Sequence, residues 1–283
     1  MPKIRTALTA SLFLAMSALG AMPSYAGAAP SALQLWRLDC GEIQMNDAAP
    51  LSDTGAYDGR SRRLSNGCYL VRHGADYLLW DAGLPVSLLG KALDAEPISA
   101  TLRQDLTSQL ARIGVRPEQI GRLAISHYHF DHVGQAALFP GATLLIGAAD
   151  LKALRGAPPA FADPSLLEHW LKGVGAIDAI NGDRDVFGDG SVTILGAPGH
   201  TPGELALLVR LPETGPVILT GDVAHLESQL APRHVPTWNT DRAESLASID
   251  RLVKLAATLK ARVIVQHDPG DVGLLARFPD ASR

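Results

Sequence analysis

The sequence predicts a layered α/β sandwich. Three observations carry this: short strand-like runs fall in two groups, helical patterns lie between and after them, and polar or glycine-bearing turns end each run. Hydrophobic residues make up 47% of the 283 and charged residues 19%, which suits a well-buried globular core.

The first strand is expected over residues 32–43 and the next two over 68–73 and 77–81, with GADY turning a hairpin between the latter pair. The polar stretch LSDTGAYDGRSRRLSN (51–66) reads as a long loop, and loops of that length inside a compact domain are more often functional than idle. Leu102, Leu106, Leu110 and Ile113 fall on one face of a helix. RLAIS (122–126) follows as a strand, with further strands at 142–146, 191–195, 204–211 and 217–220. Over 241–260, Leu246, Ile249, Leu252, Val253, Ala256 and Leu259 share one helical side, and Asp241 with Glu244 resembles a capping box. RVIVQ (262–266) is the last buried strand. No repeat, charge block or low-complexity linker interrupts residues 29–283, so they are read as one domain.

Residues 1–28 differ in kind. Lys3 and Arg5 precede an apolar run at 7–21, and Ser24-Tyr25-Ala26 offers a small-x-small cleavage site. That layout predicts a signal peptide cut near Ala26 or Ala28, and a periplasmic or secreted protein. The apolar run falls short of the roughly 20 residues a membrane-spanning helix needs, so no membrane span is expected after cleavage. Losing the two leader cations takes the formal charge from −4 to −6, which argues against nucleic acid as a partner. Cys40 and Cys68 lie in strand-like stretches and are either a disulfide, as export allows, or two buried thiols.

The chemistry concentrates in SHYHFDHVGQ (126–135), where His127, His129, Asp131 and His132 form H-x-H-x-D-H directly after a strand. Neutral imidazole and carboxylate are preferred ligands of zinc and similar ions. Alternate side chains of an extended segment point the same way, so His127 and His129 can converge on one ion while Asp131 and His132 serve a second. Six residues cannot close two metal shells. His200 in GAPGHTPGE, Asp222 in VILTGD and His267 in RVIVQHD each stand at a strand end and supply the remainder.

These motifs resemble the metallo-β-lactamase superfamily, and within it the N-acyl-homoserine lactone lactonases. CYLVRHGADYLLWDAGLP, LARIGVRPEQIGRLAISHYHFDHVGQ, APGHTPG, ILTGD and the late HD carry the likeness over nearly all of residues 29–283. The resemblance implies a four-layer αβ/βα sandwich of two mixed β-sheets flanked by helices, with the site at one edge between the sheets. It implies two divalent ions, zinc first and Mn, Fe or Co as alternatives. His127, His129 and His200 would hold one ion, Asp131, His132 and His267 the other, and Asp222 both. The reaction implied is lactone opening by a metal-bridging hydroxide, hence quorum quenching, with a small acyl lactone as substrate; a homodimer is compatible with it.

Asp131 either shuttles the leaving group's proton or serves only as a ligand. Asp81, in WDAG, either accepts a hydrogen bond from a ligand imidazole or caps a turn. Where several such lactonases place a tyrosine, three residues after the bridging aspartate, this chain has His225, which could donate to the developing oxyanion or protonate the leaving group. Tyr57 and Trp238 are expected either to wall an acyl groove or only to pack their loops, while His73, His169 and His234 are read as structural or surface residues. Other lactones, organophosphate triesters and β-lactams are competing substrates on one scaffold. Asp222 counts against the β-lactamase branch. A flavodiiron-type redox module ranks lower, since that branch usually has an acidic residue where His129 stands.

Overall fold

The computed structural model describes residues 33–93 and 97–283; the expected leader lies outside them. In chain order the strands are β1 (Leu33–Met45), β2 (Arg62–His73), β3 (Asp76–Trp80), β4 (Ile98–Thr101), β5 (Ile120–Ala124), β6 (Thr143–Gly147) and β7 (Ile177–Ile180). There follow β8 (Arg184–Asp185), β9 (Val192–Gly196), β10 (Leu205–Leu211), β11 (Gly215–Leu219) and β12 (Arg262–Ile264). They form two mixed sheets, ordered β4-β1-β2-β3-β5-β6-β7 and β12-β11-β10-β9-β8. In the first, β3, β5, β6 and β7 run parallel and the others antiparallel; in the second only β11 and β12 are parallel.

Period-two burial explains the layering. Tyr69, Val71, Leu78 and Trp80 of the first sheet face Leu205, Leu207, Val209 and Leu219 of the second, a core between the sheets. The alternate residues Leu70 and Leu79 point outward, onto α1 (Leu106–Arg112) and the helical segments that follow, burying Leu106, Leu110, Leu151 and Trp170. Among those segments are α2 (Phe130–Val133), α3 (Ala148–Leu154) and α4 (Glu168–Leu171). On the far side, Ala206, Leu208 and Ile218 meet Ile249, Leu252 and Ala256 of α5 (Arg242–Leu259). Asp241 caps α5 by accepting from Glu244 N at 2.8 Å, half of the capping box the sequence suggests; its own N–H goes to Gly199 O instead of Glu244. Among the described residues no helix is long and apolar enough to cross a membrane.

Two sequence expectations change and one open alternative closes. The stretch 51–66 is not all loop, because β2 begins at Arg62. Arg62, Arg63, Leu64 and Ser65 lie opposite Met45, Gln44, Ile43 and Glu42, beyond a bulge in β1 between Asp39 and Glu42. Only Leu64 and Ser65 of these four are buried, so the pairing rests on main-chain bonds that a polar sequence conceals. The helix expected from Leu102 starts at Leu106, because Asp105 caps it by accepting from Ser108 N at 2.7 Å. Leu102 instead bonds through its main chain to Leu88 and Gly90. Finally, Cys40 and Cys68 form a disulfide with Cα atoms 5.7 Å apart, which decides against two free thiols.

Candidate metal centre

Strand β5 ends at Ala124, and the chain turns into α2 over the edge between the two sheets, carrying His127, His129, Asp131 and His132 inward. His200 follows β9, Asp222 follows β11, and His267 follows β12. Gly221 makes the second of these turns: its φ is +57°, and a Cβ there would sit 2.4 Å from Glu204 Oε1 and 2.8 Å from Leu205 O.

All seven predicted ligands converge. His127, His129, His200 and Asp222 form one buried group, and Asp131, His132 and His267 a second. Asp222 faces both. Its Oδ2 lies 3.7 Å from His127 Nε2 and 3.5 Å from His200 Nε2. Its Oδ1 lies 3.3 Å from His132 Nε2 and 3.1 Å from His267 Nε2. Asp131 Oδ2 completes the second group at 3.6 and 3.5 Å from the same two nitrogens.

The outer nitrogens of these rings are already engaged. His132 Nδ1 donates to Asp81 Oδ2 at 3.0 Å, His267 Nδ1 to Ser65 O at 2.8 Å and His200 Nδ1 to Asn239 Oδ1 at 2.8 Å. His127 Nδ1 meets Ser126 Oγ at 3.0 Å, with Glu204 Oε2 also 3.2 Å away. A ring that donates through Nδ1 presents a lone pair at Nε2 when neutral. When both are neutral, His132 and His267 aim lone pairs at each other across 3.2 Å, which a shared proton or a cation relieves. His127 Nε2 and Asp222 Oδ1 are buried without a hydrogen bond, a costly state for polar atoms. Lone pairs and carboxylate oxygens gathered around shared points are the donor set that cations relieve, so the residues present fit two divalent ions.

Electrostatics agree. Burial, reinforced by neighbouring imidazoles, drives His127 and His129 well below the ordinary imidazole range and His200 down to about 3, leaving their lone pairs free. For His132 and His267 burial pulls the same way, but Asp222 and Asp131 outweigh it and hold both rings up. A proton retained between carboxylates marks a position that a cation can take. Burial would raise Asp222, yet His267, His225, His132 and His127 hold it well below the usual carboxylate range.

Asp81 lies against the outer side of His132. Besides His132 it accepts from Ser126 N at 2.6 Å and Gln266 Nε2 at 2.8 Å. His225 Nε2 lies 3.1 Å from Asp222 Oδ2. Trp238 lines a cavity of about 370 Å³ that opens onto the ligands, together with Ile43, Met45, Leu64, Ile98, Phe130 and Phe161. Tyr57 does not line it: the ring is buried, with its hydroxyl 2.7 Å from Ser228 Oγ and 3.4 Å from His234 Nε2. Its loop packs against the segment after His225 instead of opening to the site. His73 pairs with Asp189 at 2.8 Å and stacks on Phe187, and His169 packs on Trp170, both away from the ligands.

Sequence reasoning missed Glu204, Asn239, Gln266 and Phe161. Glu204 carried the best signal, four residues after His200 in HTPGE; burial and then Asp222 push its carboxyl well above the usual range. Phe161, half exposed at the cavity mouth with φ +60°, had none.

Known proteins share this frame. An N-acyl homoserine lactonase AttM of Azorhizobium caulinodans is 30% identical over 185 residues, covering 59% of this chain and 66% of the relative, just under two thirds of its length. AttM of Agrobacterium fabrum is 27% identical over 223 residues, covering 71% of this chain and 81% of the relative. A solved N-acyl homoserine lactone hydrolase with N-hexanoyl-L-homoserine at its catalytic metal center superimposes with a TM-score of 0.76 at 22% identity, covering 89% of this chain and 99% of that one. The dizinc lactonase AidC gives 0.66 at 19% identity, covering 90% and 95%. Residues 62–267 match the Metallo-beta-lactamase superfamily, a span that takes in every ligand from His127 to His267, and the chain belongs to that superfamily.

Proposed function

We propose that this protein opens the lactone ring of N-acyl-homoserine lactones with two divalent ions held by the seven ligands. The observation that carries the reading is the cavity, whose floor includes His129, Asp131, Asp222 and His267 and whose walls are apolar. Ile43, Met45, Leu64, Ile98 and Trp238 can bury an acyl chain, at about 0.8 kcal/mol per methylene, while the lactone rests on the floor. No Lys or Arg stands among the described lining residues, which suits a substrate whose tail is neutral and apolar.

Zinc is the first choice for imidazole and carboxylate donors, and two such ions would acidify a shared water and polarise the lactone carbonyl. The chain's own groups do the rest. Asp81, Asn239 and the Ser65 carbonyl fix the outer nitrogens of His132, His200 and His267, and Ser126 Oγ meets that of His127, so the inner lone pairs stay on the ligand side. The apolar walls exclude bulk water around the ester. Asp131, on the cavity floor with its backbone carbonyl fixed by Asn66 Nδ2 at 2.7 Å, would carry the proton to the departing ring oxygen.

The reading includes export. The Cys40–Cys68 disulfide supports it, because such bonds persist in oxidising compartments. Cell fractionation tests that part. The activity is tested by proton release across homoserine lactones of several chain lengths, a cephalosporin and a neutral phosphotriester. Turnover of the lactones, best with an apolar acyl chain, is expected; turnover of the phosphotriester with none of any lactone would replace the reading.

A further inference from the structure

His225 follows Asp222 by three residues and belongs to neither ligand group. Its Nε2 lies 3.1 Å from Asp222 Oδ2, and its Nδ1 is buried without a hydrogen-bond partner. The residue is held from several sides. Its main-chain N donates to Gln229 Oε1 at 2.6 Å, Leu226 N donates to the same oxygen at 2.9 Å, and Gln229 Nε2 donates to Leu51 O at 2.6 Å. The ring stacks on His267 with centroids 5.4 Å apart and meets Trp238 edge-on at 5.6 Å. Of its two ring nitrogens only Nε2 has an acceptor in reach, so a neutral ring carries its one hydrogen there, unlike His267, whose Nδ1 gives its hydrogen to Ser65 O.

We propose that His225 is a positioning residue that donates Nε2–H to Asp222 Oδ2 and thereby makes the two ion sites unequal. Oδ2 is the oxygen that faces His127 and His200, whereas Oδ1 faces His132 and His267. A carboxylate oxygen that already accepts a hydrogen bond has less electron density to give a cation. The ion of His127, His129 and His200 therefore receives the weaker oxygen and is the exchangeable one. The ion of Asp131, His132 and His267 receives the stronger oxygen and a second carboxylate as well. This assigns His225 a role through Asp222 rather than on the oxyanion. It rests on the paired-ion reading of the site and not on the substrate.

The test is metal release from the cobalt-loaded protein into a chromogenic chelator, followed together with the cobalt absorption spectrum, which reports how many imidazoles the departing ion had. Wild type is expected to release its ions in two phases, the three-imidazole ion first. His225→Phe keeps a ring and removes the donor, so the first ion leaves more slowly and the phases converge. His225→Gln, which retains a terminal N–H, keeps them apart. Weaker retention in the Phe variant would make His225 a ligand, and unchanged release would leave its hydrogen bond without weight; either overturns the inference. So does single-phase release from wild type, a result that needs no variant to fold and leaves the paired ions intact. A protein that retains no cobalt would overturn the paired-ion reading itself.

Discussion

Asp81→Asn removes a single charge from beneath the metal centre and leaves the backbone as it is. Asp81 has a φ of +60°, a left-handed conformation that asparagine tolerates as well as aspartate. The amide can keep the bond from Ser126 N, now 2.6 Å from Oδ1. It cannot keep the two at Oδ2, where His132 Nδ1 at 3.0 Å and Gln266 Nε2 at 2.8 Å would face an NH2 group. Gln266 cannot turn to compensate, because its Oε1 already takes Trp80 Nε1 at 3.0 Å and Gly221 N at 3.1 Å. Hydrogen bonds to a charged group are worth about 1.5–3 kcal/mol each, so two of them amount to about 3 kcal/mol at the low end. A chain of this size shifts its Tm by about 2–4 °C per kcal/mol, which puts the metal-free variant roughly 6–12 °C below wild type in a thermal scan. The freed His132 ring also loses its fixed lone pair, so chelator competition should show the ion of the second group bound 10–100-fold more weakly, the range typical of such supporting residues. A variant with wild-type Tm and wild-type metal affinity would refute the claim that Asp81 orients His132.

Bound cations would draw the proton from Glu204 and leave Oε2, 3.2 Å from His127 Nδ1, as an acceptor; Glu204→Gln sets an NH2 group there and is expected to weaken the ion of the first group about tenfold or more while sparing the second, read by the same competition. Asp150 is buried with Thr201 Oγ1 at 2.8 Å and Gly203 N at 2.6 Å, and burial lifts its carboxyl to about 7 against those two bonds. Its folded pKa exceeds the unfolded value, so the folded state keeps a proton that the unfolded chain has shed, and stability is lost as pH rises from about 4 to 7. Asp150→Asn should therefore gain on wild type over that window, by up to about 4 kcal/mol, and run parallel above it in urea unfolding. Replacing Cys40 and Cys68 by serine opens a crosslink between residues 28 apart and should cost about 3–4 kcal/mol in the same assay.

The ligands were legible because their signal is local. His127, His129, Asp131 and His132 sit within six residues, and His200, Asp222 and His267 each follow an apolar strand. Asp81 could be read for the same reason, from its place at the end of β3. What the sequence hid is whatever depends on distant parts of the chain. Asn239 reaches His200 from the segment before α5, and Gln266 reaches Asp81 across 185 positions. Neither has a motif, since an amide that orients a ligand looks like any other polar residue. The start of β2 was hidden because main-chain pairing with β1 dominates over the polarity of Arg62 and Arg63. Tyr57 takes the second of the two places its loop allowed, packing rather than walling the cavity, because a phenol ring buries readily once Ser228 and His234 meet its hydroxyl.

The central claim is that the paired ions held by this ligand set open lactones. Its most direct test is proton release from N-hexanoyl-homoserine lactone by one preparation, metal-loaded, then chelated, then titrated with zinc. The account predicts turnover that vanishes on chelation and returns in full only as the second equivalent binds, matching the two ligand groups. Turnover that persists in the chelated protein, or that is complete at one equivalent, would contradict it.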